Sequence, residues 1–328
     1  MLDESEFIKL AHSIAGEIRN YIRNYYRHQY ENQSQPHLIN NESPGYMPNP
    51  TDCLAYQAIL DIINRKFHHM LNEANFIIEG FEPILGRDAQ YTVFIDPVDG
   101  SRSAALRIGD PCIMLAYSPQ HELTNIKFKD LQFCYVEGLH SADTYFTYCG
   151  KGYYVPGGFY FEPRDEAIYL YGEILLEPIR LRQEYPRSIE EASVIVRDGH
   201  GMRRHVKEKI NHSILDHARH VFSYDITGLE LSYLASGRDI VHLLVESRSH
   251  YDKGRIVGSD GFNLLPFPLV KATGGVVYTL NGEPLDEQVF NPYGVYDFIA
   301  ASNPKIFNEF VARGGIKIQN PLPWGELA

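Results

Sequence analysis

Two acidic residues end a short apolar segment, with a proline between them and a glycine after them. The segment VFIDPVDGS (residues 93–101) places Asp96 and Asp99 three positions apart. The proline fixes one backbone torsion angle, and the glycine permits a sharp turn. Such a turn can aim both carboxylates and the Val98 carbonyl at one point, and Mg²⁺ prefers oxygen ligands of this kind. The segment predicts a divalent metal site, with a solvated turn as the alternative, since Asp, Pro and Gly are common turn residues.

The residue after this turn adds a second expectation. A helix that begins near Ser101 would offer free backbone N–H groups to a phosphate beside the metal. An aspartyl-phosphate nucleophile of the haloacid-dehalogenase type belongs to an Asp-x-Asp motif, which is one residue shorter than the spacing found here. We therefore do not expect a phosphorylated aspartate.

Further carboxylates stand at the ends of predicted elements. Glu79 ends the apolar run 76–78, Asp52 opens a predicted helix, and Asp260 precedes an apolar segment. Taken singly, each is typical of a helix cap or a surface charge. Taken together, they are what a multi-metal phosphoryl-transfer site needs, because bound cations can hold the phosphate and activate a water.

The composition is that of a globular protein with an acidic balance. Of 328 residues, 44% are hydrophobic, and 42 acidic residues against 30 basic ones give a net charge of −12. A protein that coats nucleic acid needs a basic face, so we expect no nucleic-acid partner. The sequence contains no run of about 18 apolar residues, so we expect no membrane span. The acidic N-terminus does not resemble a secretory signal. The four cysteines lack Cys-x-x-Cys spacing, which favours free thiols in the cytoplasm.

Hydrophobic periodicity predicts helices first and a sheet after them. A helix is expected over 5–30 and another over 52–71, with Thr51 as its N-cap and a polar loop over 31–50 between them. Short β-rich runs separated by Gly, Pro and Asp then predict a largely antiparallel sheet. Its expected strands are 76–78, 91–95, 112–117, 131–136, 144–148 and 152–155.

The second half of the chain alternates strand-like and helix-like segments. Strands are expected over 192–196 and 240–245, and helices over 202–216, 228–235, 262–273 and 304–313. Pro266 and Pro268 should delay or kink the third of these helices, and Gly274 with Gly275 is typical of a helix C-cap. We therefore predict an α/β fold with two sheet-bearing halves, 1–160 and 161–328.

These motifs, taken in order, resemble those of the inositol monophosphatase superfamily of Mg²⁺-dependent phosphatases. The family motif Asp-Pro-[Ile/Leu/Val]-Asp-Gly-[Thr/Ser] is matched by residues 96–101, and the acidic segment before it by Glu79 and its neighbours. The family's Trp-Asp-x-Ala-Ala-Gly segment and the Glu-Ala-Gly-Gly after it resemble residues 259–263 and 271–275. Further similar stretches are 144–153, 231–238 and 298–303. The resemblance thus covers nearly the whole chain.

The resemblance implies a role for each matched residue. The metal-ligand positions are matched by Glu79, Asp96, the Val98 carbonyl, Asp99 and Asp260. Asp52 matches the carboxylate that orients the attacking water together with a hydroxyl, which here is Ser101 in place of the usual Thr. The amides of Gly100 and Ser101 match the phosphate cradle. Glu246 belongs to the substrate loop. Arg102 departs from the residues usual in the family at this position, and we expect it to contact a phosphate oxygen or a second anionic group of the substrate.

Several departures separate the chain from members that prefer inositol phosphate. Gly80 replaces the family's second Glu, which weakens an auxiliary metal position. Ser259 replaces the Trp before Asp260. Glu246 lies 14 positions before Asp260, about twice the separation in those members, so the substrate loop is altered. These changes put inositol phosphate itself in doubt as the substrate.

The resemblance implies a layered α-β-α-β-α sandwich that forms one catalytic unit. The implied reaction is hydrolysis of a small phosphorylated sugar, polyol or nucleotide by a metal-activated water, with two or three Mg²⁺ ions, or Mn²⁺ in their place. A 3′(2′),5′-bisphosphate nucleotidase and a fructose-1,6-bisphosphatase are the alternatives among enzymes. An inactive ligand-binding relative is the alternative outside that class. A homodimer is expected by analogy with relatives, and a membrane partner is not.

Overall fold

Helices and mixed sheets alternate along the chain in the computed structural model. The structure describes residues 2–31, 50–100, 109–157, 159–179, 186–197, 217–222, 226–237, 241–246, 250–252, 255–257 and 259–313. The described helices are α1 (Glu4–Glu31), α2 (Pro50–Lys66), α3 (Met70–Glu73), α4 (Thr227–Ser236), α5 (Phe267–Ala272) and α6 (Pro304–Ala312). None of them combines the length and the apolar character that a membrane span needs.

In the first large sheet, the described strands lie side by side in the order in which they occur along the chain. They are β1 (Ala74–Ile78), β2 (Tyr91–Asp99), β3 (Cys112–Ser118), β4 (Phe133–Gly138), β5 (Thr144–Tyr148) and β6 (Lys151–Val155). Strands β1 and β2 are parallel, and the other neighbours are antiparallel. The predicted largely antiparallel sheet is therefore confirmed.

A small antiparallel sheet follows the first large one. It consists of β7 (Phe161–Arg164), β8 (Ala167–Leu170) and β9 (Ile174–Leu176).

The second large sheet has the strand order β11-β10-β12-β18-β16. These strands are β10 (Ser193–Arg197), β11 (His220–Phe222), β12 (Leu243–Glu246), β16 (Val276–Thr279) and β18 (Phe298–Ala301). Strand β10 is parallel to β11 and β12, whereas β18 runs antiparallel between β12 and β16. Two-stranded pairings form between β13 (His250–Asp252) and β14 (Arg255–Val257), and between β15 (Ser259–Asp260) and β17 (Val295–Tyr296).

Hydrophobic clusters separate the layers. One cluster buries α1 and α2 against one face of the first large sheet. A second fills the space between the two large sheets, where Phe94 of β2 and Leu244 of β12 join side chains of α4 and α5. A third packs α6 onto the outer face of the second large sheet. In the described part of the chain the layers thus run α-β-α-β-α, which confirms the expected sandwich.

Most predicted elements are present, with shifted ends. The helix predicted over 52–71 stops at Lys66, and the separate short helix α3 follows it. The predicted interruption near the prolines is confirmed, because a 3₁₀ turn over Phe262–Leu264 precedes α5, which begins after Pro266. Gly274 follows that helix with φ of 90°, consistent with the predicted C-cap.

Some strands were not predicted, and some predicted segments are not described by the structure. The strands β7–β9, β11 and β13–β18 were not predicted as strands. Of the loop predicted over 31–50, residues 32–49 lie outside the described residues, as does the helix predicted over 202–216, and the boundary near residue 160 stays a prediction. The cysteines are free thiols, as expected, with Cys112 and Cys134 buried.

A buried carboxylate anchors α1 to the first large sheet. Glu137 of β4 is fully buried, and its Oε1 forms an ion pair with Arg19 of α1 that lacks hydrogen-bond alignment. Its other oxygen accepts a hydrogen bond from Tyr135, and His12 Nδ1 lies 3.4 Å away from that oxygen. A buried carboxylate that loses its cationic partner is strongly destabilising.

We expect Arg19→Met to lower the free energy of unfolding by about 3 kcal/mol, because it leaves Glu137 charged and buried. Urea unfolding measures this loss. The matched control is Arg65→Met, which removes a solvent-exposed pair with Glu17 and should cost less than about 1 kcal/mol. Equal losses in the two variants would show that the buried pair contributes no more than the exposed one.

Candidate active site

Asp96 and Asp99 share one face of β2 because the strand carries an extra residue between them. Asp96 pairs with Met114 of β3 and Asp99 pairs with Cys112, so three residue steps on β2 oppose two on β3. In a regular strand, side chains three positions apart point to opposite faces. The bulge cancels that reversal. Both carboxylates therefore lie on the face of Met114, which packs in the cluster between the two large sheets.

The strand itself is longer than predicted. It runs through Asp99 rather than ending at residue 95, and both carboxylates are almost completely buried. The backbone N–H of Val98 donates to Asp96 Oδ1 at 3.0 Å, which closes a local turn around the first carboxylate. The bulge is a bend that the sequence did not predict, and it precedes the predicted turn at Gly100, which follows the strand with φ of 79°.

Glu79 comes beside Asp96 through the parallel pairing of β1 and β2. Ile78 pairs with Ile95, and the N–H of Glu79 donates to the Ile95 carbonyl at 2.9 Å. The two carboxyl groups are hydrogen-bonded to each other. Gly80 then turns the chain with φ of 77°, a left-handed conformation that a second Glu would adopt only with strain. This turn gives a physical reason for the missing second Glu.

Asp99 is held by the first turn of α4. The backbone N–H of Gly228 donates to Asp99 Oδ2 at 2.6 Å, and Cys112 Sγ lies 3.8 Å from the same oxygen. Backbone N–H groups at a helix N-terminus are unsatisfied within the helix and favour a negative partner. A Cβ on Gly228 would come within 2.2 Å of Met114 Sδ, so the close approach of α4 requires glycine.

Asp260 reaches the same helix through two polar side chains. Its Oδ1 accepts a hydrogen bond from Asn263 Nδ2 at 2.9 Å, and the side-chain Oδ1 of Asn263 accepts one from Thr227 Oγ1 at 2.7 Å. Thr227 and Gly228 are neighbours in the first turn of α4. The start of α4 therefore positions Asp99 directly and Asp260 indirectly.

The carboxylates of both halves repel one another. Burial raises the pKa of Glu79 to about 8, and the charges of Asp260, Asp52 and Asp99 raise it as well. Burial also raises the pKa of Asp96 and that of Asp260. Asp52, in the first turn of α2, is only 5% exposed. The structure thus brings together the five predicted acidic residues in one buried site of negative charge.

The donor set fits a hard divalent cation in atom type and in charge. Within the described residues, however, no three His, Cys, Asp or Glu side chains are arranged so that they could hold a metal ion as they stand. The carboxylates are turned towards hydrogen-bond donors instead: Asp96 towards Val98, Asp99 towards Gly228, and Asp260 towards Asn263. Metal binding would replace the contact between Glu79 and Asp96, which now relieves part of their repulsion.

The other predicted site residues are not among the five acidic residues of the buried site. Gly100 follows β2 with φ of 79°, and Ser101 and Arg102 lie outside the described residues. Glu246 ends β12, is fully buried, and accepts a hydrogen bond from Ser259 Oγ at 2.8 Å. The family's Trp position therefore carries a small hydroxyl that binds Glu246. A substrate contact of Glu246 stays a prediction.

Several residues of the site were not predicted to act there. Thr227 and Gly228 were expected only near a helix start, and Asn263 was quoted only as part of a motif. Its position three residues after Asp260 is a usable signal, since such residues are neighbours on a helical turn. The hairpin of β13 and β14 accounts for the long separation between Glu246 and Asp260.

Comparisons with known proteins give the fold but no close relative. No protein-family model matches the chain, and no curated protein matches it. Among solved structures, a Pyrococcus horikoshii protein described as having similarities to inositol-1 monophosphatase is 20% identical, with a TM-score of 0.61 over 95% of this chain and 98% of its own. The Thermotoga maritima inositol monophosphatase is 17% identical, with a TM-score of 0.57 over 93% of this chain and 94% of its own.

A third structure, described as an inositol monophosphatase–fructose 1,6-bisphosphatase, is 15% identical, with a TM-score of 0.62 over 95% of this chain and all of its own. Identities this low establish the fold alone. The chain therefore has the inositol monophosphatase fold, and the expected resemblance is confirmed at that level.

We expect Asn263→Asp to lower the free energy of unfolding by about 3 kcal/mol, because it adds a charge beside Asp260 and removes a donor. Chelator-treated protein should be used, with urea unfolding as the measurement. Asn125→Asp is the matched control, since Asn125 donates to the exposed Glu122 over the same three-residue separation and should change stability by less than about 0.5 kcal/mol. Similar values for both variants would contradict a buried, charge-repelled site at Asp260.

Proposed function

We propose that this chain is a Mg²⁺-dependent phosphomonoester hydrolase that acts on a small phosphorylated sugar, polyol or nucleotide. The observation that carries the proposal is the meeting of Glu79, Asp96 and Asp99 from the first half with Asp260 from the second, in a fold shared with phosphatases. Buried carboxylates that repel one another store unfavourable energy, which divalent cations would relieve. Such clusters of perturbed groups concentrate at functional sites.

The chain's own residues divide the work of hydrolysis. Glu79, Asp96, Asp99, Asp260 and the Val98 carbonyl would hold the cations. When bound, Mg²⁺ supplies charge stabilisation and a lower pKa for a coordinated water. Asp52, with Ser101, orients the attacking water and accepts its proton. The amides of Gly100 and Ser101, with Arg102, hold the phosphate oxygens.

No covalent enzyme intermediate is needed. The water oxygen forms a bond to phosphorus as the bond to the alcohol oxygen breaks, Asp52 takes the proton that the water loses, and the leaving alkoxide takes a proton from solvent. Two or three Mg²⁺ ions are proposed, with Mn²⁺ as a substitute. Asp52 is buried in the first turn of α2, and its charge raises the pKa of Glu79, which supports a place for it beside the proposed metal ligands.

The proposal includes the surroundings of the reaction. The partner is a small phosphorylated molecule, and neither nucleic acid nor a membrane is proposed. The free thiols favour a cytoplasmic enzyme. A homodimer is proposed by analogy with relatives.

Phosphate release from a panel of phosphomonoesters tests the activity. We expect Mg²⁺-dependent release by the unmodified chain and a loss of about 100-fold or more in kcat/KM for Asp99→Asn and for Asp260→Asn, since each removes charge that holds a cation. Asp88→Asn, at an exposed position, is the control and should leave kcat/KM unchanged. Thermal unfolding of each variant confirms that it is folded.

The same panel separates the alternatives. Fructose 1,6-bisphosphate and a 3′,5′-bisphosphate nucleotide test the two bisphosphatase readings, of which the first has a neighbour with that name. If the chain releases phosphate from no member with Mg²⁺ or Mn²⁺, it is an inactive ligand-binding relative. If the activity survives in both aspartate variants, the assigned mechanism is wrong.

A further inference from the structure

An exposed tyrosine stands beside the carboxylate site on a loop that the sequence resemblance did not mark. Tyr293 is 54% exposed, and its ring packs on the buried Phe262 with centroids 5.6 Å apart and planes 72° apart. Phe262 lies two residues after Asp260, so the contact places the ring next to a predicted metal ligand. An aromatic side chain held on one side and open to solvent on the other is able to stack on a ligand.

The loop that carries Tyr293 is fastened to the site. Strand β17 pairs Val295 with Asp260, and the N–H of Gly261 donates to the Pro292 carbonyl at 3.0 Å. A Cβ on Gly261 would come within 2.3 Å of the Asn291 carbonyl oxygen, so the loop and the site backbone are in direct contact. The position of Tyr293 is therefore coupled to that of Asp260.

Hydrogen bonds inside the loop fix its shape. Asn291 Oδ1 accepts from the N–H of Tyr293 at 3.1 Å, and the Asn291 carbonyl accepts from the N–H of Gly294 at 2.9 Å. The hydroxyl of Tyr296 accepts from the N–H of Asn291 at 2.8 Å. An ordered loop loses little conformational entropy when a ligand binds. An exposed ring on such a loop can therefore contribute more to the free energy of ligand binding.

Tyr293 lies within electrostatic range of the acidic residues of the site. Its pKa is raised by burial and by the charges of Glu82, Glu79 and Asp260. Glu82 is exposed, and it would repel a second phosphate at this edge of the site. Val289 and Val295, on either side of the loop, are partly exposed and make the edge apolar. The edge therefore suits an uncharged ring rather than another anionic group.

We propose that Tyr293 is a specificity residue that stacks on the face of an uncharged ring in a phosphomonoester bound at the carboxylates. This inference rests on the proposed phosphatase function and narrows its substrate to monophosphates of ring-bearing alcohols. A nucleobase and a sugar ring both present such a face, and the aromatic face of a base stacks more strongly on tyrosine.

The test compares phosphomonoesters with and without a ring. The probes are adenosine 5′-monophosphate, a pyranose 6-phosphate and glycerol 2-phosphate, each with Mg²⁺. We expect Tyr293→Ala to raise KM about tenfold for the ring-bearing probes, to leave kcat unchanged, and to leave KM for glycerol 2-phosphate unchanged. Tyr293→Phe should retain the original KM, because it keeps the ring. A larger effect on adenosine 5′-monophosphate than on the pyranose ester would assign the ring as a nucleobase.

Tyr160→Ala is the matched control, since Tyr160 is 57% exposed beside the small sheet of β7–β9 and should change no KM value. Equal losses of kcat/KM for all three probes in Tyr293→Ala, or no change for any, would overturn the proposal.

Calorimetric binding of the same probes separates this proposal from the proposed function. If the chain releases no phosphate but binds the ring-bearing probes about tenfold more tightly than Tyr293→Ala does, the ring site stands and the phosphatase function fails. If phosphate release is normal and ring-bearing probes bind both proteins equally, the function stands and the role of Tyr293 is refuted.

Discussion

The structure depends on holding several carboxylates in one buried place against their mutual repulsion. Removing a charged group from water is expensive unless hydrogen bonds or opposite charges replace the lost hydration. The fold supplies hydrogen bonds: the Val98 amide for Asp96, the Gly228 amide for Asp99, and Asn263 for Asp260. Burial, followed by the charge of Asp260, still raises the pKa of Glu79 to about 8. The proposed cations would supply the positive charge that these hydrogen bonds do not.

The two halves are needed together for this balance. Glu79 and Asp96 are fixed by the pairing of β1 with β2, but the partners of Asp99 and Asp260 belong to the start of α4. The cluster between the large sheets, which includes Phe94 and Phe262, brings these parts into contact. The cluster includes strand residues of both sheets, so loss of its packing would disturb the sheets and the carboxylates together. Stability of the interlayer core and integrity of the site are therefore the same physical requirement.

Much of this arrangement was predictable from the sequence. The helices, the strands of the first sheet and the five acidic residues have local signals, since periodicity and turn residues depend only on near neighbours. The bulge between Asp96 and Asp99 has no such signal, because it is defined by the register with β3. Short strands such as β15 and β17 are equally dependent on distant partners. The hydrogen-bond roles of Gly228 and Asn263 could not be predicted for the same reason.

The carboxylates of the site and the segments proposed to contact the substrate lie in different parts of the fold. The carboxylates sit at the ends of buried elements, where a change of residue alters charge, hydrogen bonding and packing together. The hairpin of β13 and β14 and the loop over 291–294 lie between such elements, where added residues disturb little of the core. Ser259, which replaces a large aromatic residue of the family motif, binds Glu246 and keeps the strand end packed. Under the proposed function, these segments are where the choice of substrate could change while the acidic site keeps its geometry.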